Sequence, residues 1–185
     1  YIHRHSRRAA KPFVAINCAA IPENMLEATL FGYEKGAFTG AHQSNPGKFE
    51  QAQGGTLLLD EISEMDLGLQ AKILRVLQER EVERLGGRKL IALDVRVLAT
   101  SNRNMRDEVT AGRFREDLYF RLNVFPLHLP ALRERPDDIV PLAANLLQRH
   151  ARLAGRPVPQ LSADAQAALV RHSWSGNVRE LDNVI

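Results

Sequence analysis

Gly54-Gly-Thr-Leu-Leu-Leu-Asp-Glu-Ile62 is the stretch on which the fold turns. Two glycines make a turn, Leu57, Leu58 and Leu59 form an uninterrupted apolar run, and Asp60 and Glu61 end it. A short continuous run, rather than an alternating one, suits a strand covered on both faces, as in a parallel sheet. Polar residues at the carboxyl end of such a strand stand where open α/β sheets build their sites.

Working outward, Phe13-Val-Ala-Ile-Asn17 reads as another short buried strand after Pro12, and Val95-Arg-Val-Leu-Ala-Thr100 as a third. Val124–Leu129 reads as a fourth. Between them, Pro22–Phe31 reads as a helix with the proline near its start, and Leu69, Ile73, Leu74 and Leu77 share one face of a helix over 67–80. Gly86-Gly87 lies between Val82–Leu85 and Leu90–Leu93, a hairpin pattern. A helical segment runs to about Leu122, and the opening YIHRHSRRA also reads as helix. Pro130 and the charged Arg133–Asp138 mark a linker, followed by helices at Ile139–Leu153, Ala163–His172 and from about Val178. Strands alternating with helices predict a three-layer α/β sheet over residues 1–135, and the helical remainder predicts a second, small all-α domain over 136–185.

The 185 residues carry a net charge of +3, which permits contact with phosphates or nucleic acid without demanding it. Twenty of the 25 basic residues are arginine, whose fixed fork of donors suits phosphate, although codon usage explains the bias equally well. Cys18 is alone, so no internal disulfide forms, which fits a reducing cytoplasm. The six histidines lack the companions of a zinc site, and no apolar run reaches the length of a membrane span.

Three strands end in chemically useful residues. Apolar residues followed by Asp60-Glu61 match the strand-terminal acid pair of nucleotide hydrolases. The first acid would hold Mg²⁺ through its water shell and the second would orient and polarise the attacking water. The alternative is that both acids merely start the next helix, where negative charge is favoured. Asn102 ends "VRVLATSN" and could bond a γ-phosphate or the hydrolytic water, while Asn17 ends "FVAIN" and could hold a neighbouring carboxylate; each alone would pass for a turn former. Arg115 and Arg121, six apart in "FREDLYFRL", fall on different helix faces, either as solvated residues or as donors to a transferring phosphate.

The stretches "GAFTGA" at 36–41, "FEQAQGGTLLLDEI" at 49–62, "FREDLYFRLNVFPLHLPALRER" at 114–135 and "WSGNVRELDNV" at 174–184 closely resemble the AAA+ domain of bacterial enhancer-binding proteins. These are the ATPases that activate RNA polymerase carrying sigma-54. The resemblance implies an AAA+ α/β core resembling P-loop NTPases, followed by part of a helical lid. It implies ATP and Mg²⁺ as cofactors, with Asp60 and Glu61 as the acid pair and Asp60 the metal partner through water. Asn17 then matches the switch asparagine that restrains the catalytic glutamate, and Asn102 the first sensor. Arg115 and Arg121 match arginine fingers acting on the neighbouring subunit's nucleotide, so the implied species is a hexameric ring. Arg179 matches the sensor arginine of the lid. The loop Gly36, Ala37, Phe38, Thr39, Gly40 and Ala41 would contact sigma-54 with Phe38 and Thr39 at its tip. The glycines let that loop change shape, and an exposed aromatic supplies contact area at small entropic cost. The bland alternative is that Phe38 tucks into its own core.

One departure stands out. No GxxxxGK[ST] is present: Gly40 and Gly47-Lys48-Phe49 have six intervening residues, end in Phe, and precede a strand instead of opening a helix. The resemblance places the missing motif and its central strand ahead of Tyr1, so the chain is expected to be truncated at both ends. It is expected to bind ATP poorly alone, with enhancer-DNA binding residing in a missing C-terminal domain. Two alternatives remain: a non-hydrolysing sigma-54 docking module, and a DNA-directed motor, against which the uncharged loop tip argues.

Overall fold

A computed structural model describes residues 1–185. The chain divides into two compact units, Tyr1–Phe125 and Pro126–Ile185. Within the first, β1 (Phe13–Asn17), β4 (Thr56–Asp60) and β7 (Arg96–Ala99) form a parallel sheet in the order β1-β4-β7. The central place of β4 accounts for its unbroken apolar run: Leu57 and Leu59 are fully buried with Thr56, and both edges of the strand are paired. The register sets Asn17 opposite Asp60 and Leu59 opposite Ala99, so all three strands end together.

Parallel strands need crossovers, and helices supply them. Helix α1 (Glu23–Phe31) follows Pro22 and buries Leu26, Leu30 and Phe31. Helix α3 (Leu67–Glu79) starts where the Asp66 carboxylate accepts from the Leu69 N–H at 2.9 Å, and ends at Arg80 in the left-handed region. It turns Leu69, Ile73 and Leu74 inward, as the apolar spacing predicts, together with Val76, while the fourth expected residue, Leu77, is only partly buried. Leu30, Phe49, Leu57, Leu59, Ile73 and Leu118 anchor one core, each worth ~1.5–3 kcal/mol of burial. Between these elements lie the short pair β2 (Gly32–Tyr33) and β3 (Asn45–Pro46), the one-turn α2 (Lys48–Gln51), and the antiparallel hairpin β5 (Glu81–Glu83) with β6 (Leu90–Ala92). Helices α4 (Met105–Thr110) and α5 (Glu116–Leu122) complete the unit.

Several expectations are corrected. The opening ten residues form successive turns, not a helix. Their bonds run from Ser6 to His3, Ala9 to Ser6 and Lys11 to Arg8, and the Ser6 hydroxyl competes by donating to the His3 carbonyl. The expected strand at Val124–Leu129 does not form: it finds no ladder partner, and Val124, Phe125, Leu127 and Leu129 are exposed. The sheet therefore has three strands, not four. Gly47-Lys48 does open a helix, α2, although only of one turn. The helical segment before Leu122 is two helices, separated by a turn at 111–115.

The second unit contains α6 (Ile139–Leu153), α7 (Ala163–Arg171) and α8 (Asn177–Val184). Its core joins Leu132, Ile139, Ala143, Trp174 and Leu181, so the charged segment at 133–138 lies within this unit, bracketed by two buried residues. Trp174 donates from its indole N–H to the Leu169 carbonyl at 2.7 Å, and the Asn177 side chain accepts from the Leu132 N–H at 2.7 Å. No helix of the chain is long and apolar enough to cross a membrane.

Candidate functional site

The site forms at the carboxyl ends of β1, β4 and β7. Asp60 closes β4, and its carboxylate takes two donors from neighbouring strands: the Thr100 hydroxyl at 2.5 Å and the Asn17 amide at 3.4 Å. The other end of the Asn17 amide is spent locally, accepting from the Ala19 and Ala20 N–H groups at 2.9 and 3.1 Å. Asn17 thus aims at Asp60 and not at Glu61 in this state.

Glu61 follows directly, with φ 55° and ψ 47°. A left-handed backbone on a residue other than glycine is unfavourable, and such conformations cluster at functional sites because surrounding bonds must hold them. Here the Glu61 N–H donates to Thr100 Oγ1 at 3.3 Å and the Ile62 N–H to the Thr100 carbonyl at 3.0 Å. Thr100 therefore grips both acids. It was invisible in the sequence, where a threonine in "VLAT" reads as an ordinary strand former. A 3-10 turn at Ile62–Glu64 then leads to α3, so the acids do precede a helical turn, with Glu61 in the left-handed region.

Asn102 is exposed on the bend two residues beyond Thr100. The arginines stand apart from the acids' bonding. Arg115 is the residue before α5, outside its helical turn, and donates two hydrogen bonds to the Asp117 carboxylate at 3.0 and 2.7 Å. Arg121, in the last turn of α5, donates to the Leu77 carbonyl at 2.7 Å. Arg179 is exposed on α8 in the second unit.

Cys18 lies buried beside the acids, its N–H on the Asp60 carbonyl at 2.9 Å. Burial first, and the Asp60 and Glu61 charges second, push its thiol up to about 12, so it stays protonated and unreactive at neutral pH.

The fit to ATP and Mg²⁺ is half complete. Asp60, an acid already oriented by two donors, suits a metal held through water, which rarely needs more than one or two carboxylates beside phosphate oxygens. No three His, Cys, Asp or Glu side chains cluster to cage an ion by themselves. A phosphate cradle is lacking: the Gly47 N–H is taken by Glu50 at 3.2 Å and the Lys48 ammonium by Gln51 at 3.0 Å. The nearby cavity, about 190 Å³ and lined by Cys18, Ala19, Glu23, Glu64 and Asp66, is too small for a nucleotide, since ligand pockets run to roughly 300 Å³ or more.

The loop at 36–41 is closed on itself. The Gly36 N–H donates to the Ala41 carbonyl at 2.8 Å, and Gly36 and Gly40 take φ of 84° and 102°. Phe38 is 47% exposed, with its ring edge-on to Tyr33 at 5.0 Å, while Thr39 is exposed. Phe38 is therefore neither buried in the core nor free of it.

Residues 1–128 match the family model of the sigma-54 interaction domain, and residues 133–185 match that of the AAA+ ATPase lid domain. The chain belongs to the sigma-54 interaction domain family. It is 69% identical over 185 residues to the response regulator protein FleR of Pseudomonas aeruginosa, covering all of this chain and 39% of that protein. It is 56% identical to the transcriptional regulatory protein FlbD of Caulobacter vibrioides, covering 41% of it. The sigma54-dependent transcriptional activator SfnR of Pseudomonas putida is 56% identical, with 50% of its length covered. Among solved structures, NtrX from Brucella abortus superposes with a TM-score of 0.91 at 40% identity, over 99% of this chain and 41% of that one. NtrX in complex with ATP gives 0.90 at 41% identity, over 98% and 39%. The chain thus spans 39% to 50% of the length of these relatives. The α/β core with a three-stranded parallel sheet and a helical lid agrees with the fold expected from the sequence.

Proposed function

We propose that this chain is the nucleotide-hydrolysing and sigma-54-contacting part of a transcriptional activator, coupling ATP hydrolysis to remodelling of the closed complex of sigma-54 RNA polymerase. The observation that carries the reading is Glu61 held in a left-handed conformation beside Asp60 by one hydroxyl, that of Thr100. Strain of this kind beside a strand-terminal carboxylate is concentrated at active sites. The ATP-bound form of NtrX, a structural neighbour, supports nucleotide as the ligand.

In this reading Asp60 holds Mg²⁺ through water, and Glu61 accepts a hydrogen bond from the attacking water and takes up its proton. Mg²⁺, when bound, supplies neutralisation of the charge on the phosphate oxygens. Asn17 shares Asp60 at rest and is free to exchange toward Glu61; Asn102 senses the γ-phosphate. Arg115 and Arg121 act on nucleotide held by a neighbouring copy, which requires a ring, proposed as a hexamer in the cytoplasm. Arg179 is the sensor arginine of the helical lid. The phosphate cradle and the enhancer-DNA-binding domain come from parts of the full-length protein outside this chain. Phe38 and Thr39 contact sigma-54.

A non-hydrolysing docking role is the second reading, favoured by one observation: the chain's own glycine-lysine pair bonds to Glu50 and Gln51 of α2. Capture of sigma-54 by the full-length protein, with an ATP transition-state analogue and without it, tests the proposal. The account expects capture to depend on the analogue and to vanish in Thr39→Ala. Capture that ignores both nucleotide and Thr39 would refute it.

A further inference from the structure

Gln70 is a polar residue with no exposed surface, sitting on the inward face of α3 among Leu69, Ile73 and Leu74. A buried amide is costly unless all its groups are bonded. This one is satisfied on both ends. Its Nε2 donates to the Met65 carbonyl at 2.8 Å and to the Arg113 carbonyl at 3.0 Å, and its Oε1 accepts from the Arg115 N–H at 2.8 Å. Two carbonyls and one N–H fix which way the amide points, since a flipped amide would face donor with donor.

The three bonds join places that are far apart in sequence. Met65 ends the 3-10 turn that begins directly after Glu61. Arg113 and Arg115 belong to the turn that delivers the Arg115 side chain ahead of α5. Phe114, between them, is buried, and the Arg113 and Phe114 N–H groups both donate to the Glu108 carbonyl at 2.9 and 3.2 Å. The turn is therefore fixed from α4 on one side and from Gln70 on the other. The α4 side reaches the segment after Glu61 through partly exposed ion pairs, Arg113 to Glu108 to Arg103 to Glu64, whereas the Gln70 side reaches it through hydrogen bonds of a buried amide to the backbone.

We propose that Gln70 is a positioning residue that ties the backbone of Arg115 to the segment following Glu61, so that a shift of the acids on nucleotide binding repositions the arginine. It touches no nucleotide itself and acts through Arg115. The inference rests on the proposed role of Arg115 in hydrolysis.

The test uses the full-length protein and its steady-state ATP turnover in Gln70→Met, Arg115→Ala and the double variant. Expected are a fall in kcat of about tenfold or more for Gln70→Met with KM nearly unchanged, and no further fall when it is added to Arg115→Ala, as for residues acting as one unit. A full kcat in Gln70→Met, or losses that multiply in the double variant, overturns the inference while leaving Arg115 its role. Full turnover in Arg115→Ala overturns both. Should Gln70→Met not fold, amide exchange of the wild-type full-length protein decides. A non-hydrolysable ATP analogue is expected to change exchange at Arg115 and at residues 62–65 together, and a change in one without the other overturns the coupling.

Discussion

Thr100 Oγ1 donates to Asp60 Oδ1 at 2.5 Å while accepting from the N–H of Glu61 at 3.3 Å. One hydroxyl thus orients the first acid and holds the strained backbone of the second. Thr100→Val keeps the shape and removes both bonds. ATP turnover by the full-length protein is expected to fall roughly 10- to 100-fold, the usual effect of deleting an outer-shell partner of a metal-holding carboxylate. Serine at this position should restore most of it, because the hydroxyl returns.

Gly55 lets β4 start against the preceding chain. A Cβ there would sit 2.0 Å from the Pro12 carbonyl oxygen, whose bond with the Thr56 N–H opens the β1–β4 ladder at 2.9 Å. The obstruction is backbone and cannot rotate away. Gly55→Ala should cost at least ~1–3 kcal/mol in urea unfolding, the scale of an overpacked interior. Gly112→Ala meets no atom within 4 Å and carries only the strain of its positive φ, 69°. It should cost less.

Glu108 links Arg113, which donates to both its oxygens at 2.7 and 2.8 Å, with Arg103 at 3.4 Å. The Arg113 hydrogen bonds lead in drawing its carboxyl down from 4.5 to about 2, against a smaller opposing effect of burial. The folded chain therefore keeps Glu108 ionised where the unfolded chain has taken up a proton. Its stabilisation is complete above pH 4.5 and is lost as the pH falls toward 2. Acid titration of folding should be shallower between those limits in Glu108→Gln than in the wild type. The variant should also be less stable at pH 7. Equal slopes would contradict the pairing.

Phe38 is half exposed and touches Tyr33 only edge-on, so its contribution to folding is small. Phe38→Ala should change unfolding free energy by no more than about 1 kcal/mol. The same change should abolish capture of sigma-54. A large loss of stability would instead place Phe38 as an anchor of its own loop.

The parts of the fold legible beforehand are those whose burial writes a pattern. Leu57–Leu59 between a glycine turn and two acids could only be an inner strand, and Leu69, Ile73 and Leu74 could only face a core. The residues that were missed act through geometry that periodicity does not carry. Gln70 looks like a polar interruption in an apolar face, and its three backbone partners are 5, 43 and 45 residues away. Thr100 looks like a β-branched strand residue until Asp60 is set across from it by register. The 124–129 segment is as apolar as a short strand, but a strand exists only with a ladder partner, and none is supplied to it. Arg115 was expected within a helix; it stands instead just before α5 in an extended conformation, with its N–H on Gln70.

The most direct measurement is ATP hydrolysis by the full-length protein with Glu61→Gln. The amide keeps the size and the hydrogen-bonding reach of the side chain but cannot take up a proton from water. The account predicts that ATP still binds while turnover drops by roughly 10²- to 10⁴-fold, the range for loss of a general base. Turnover at the wild-type rate in that variant would contradict the central claim, and the strained acid at the end of β4 would need another explanation.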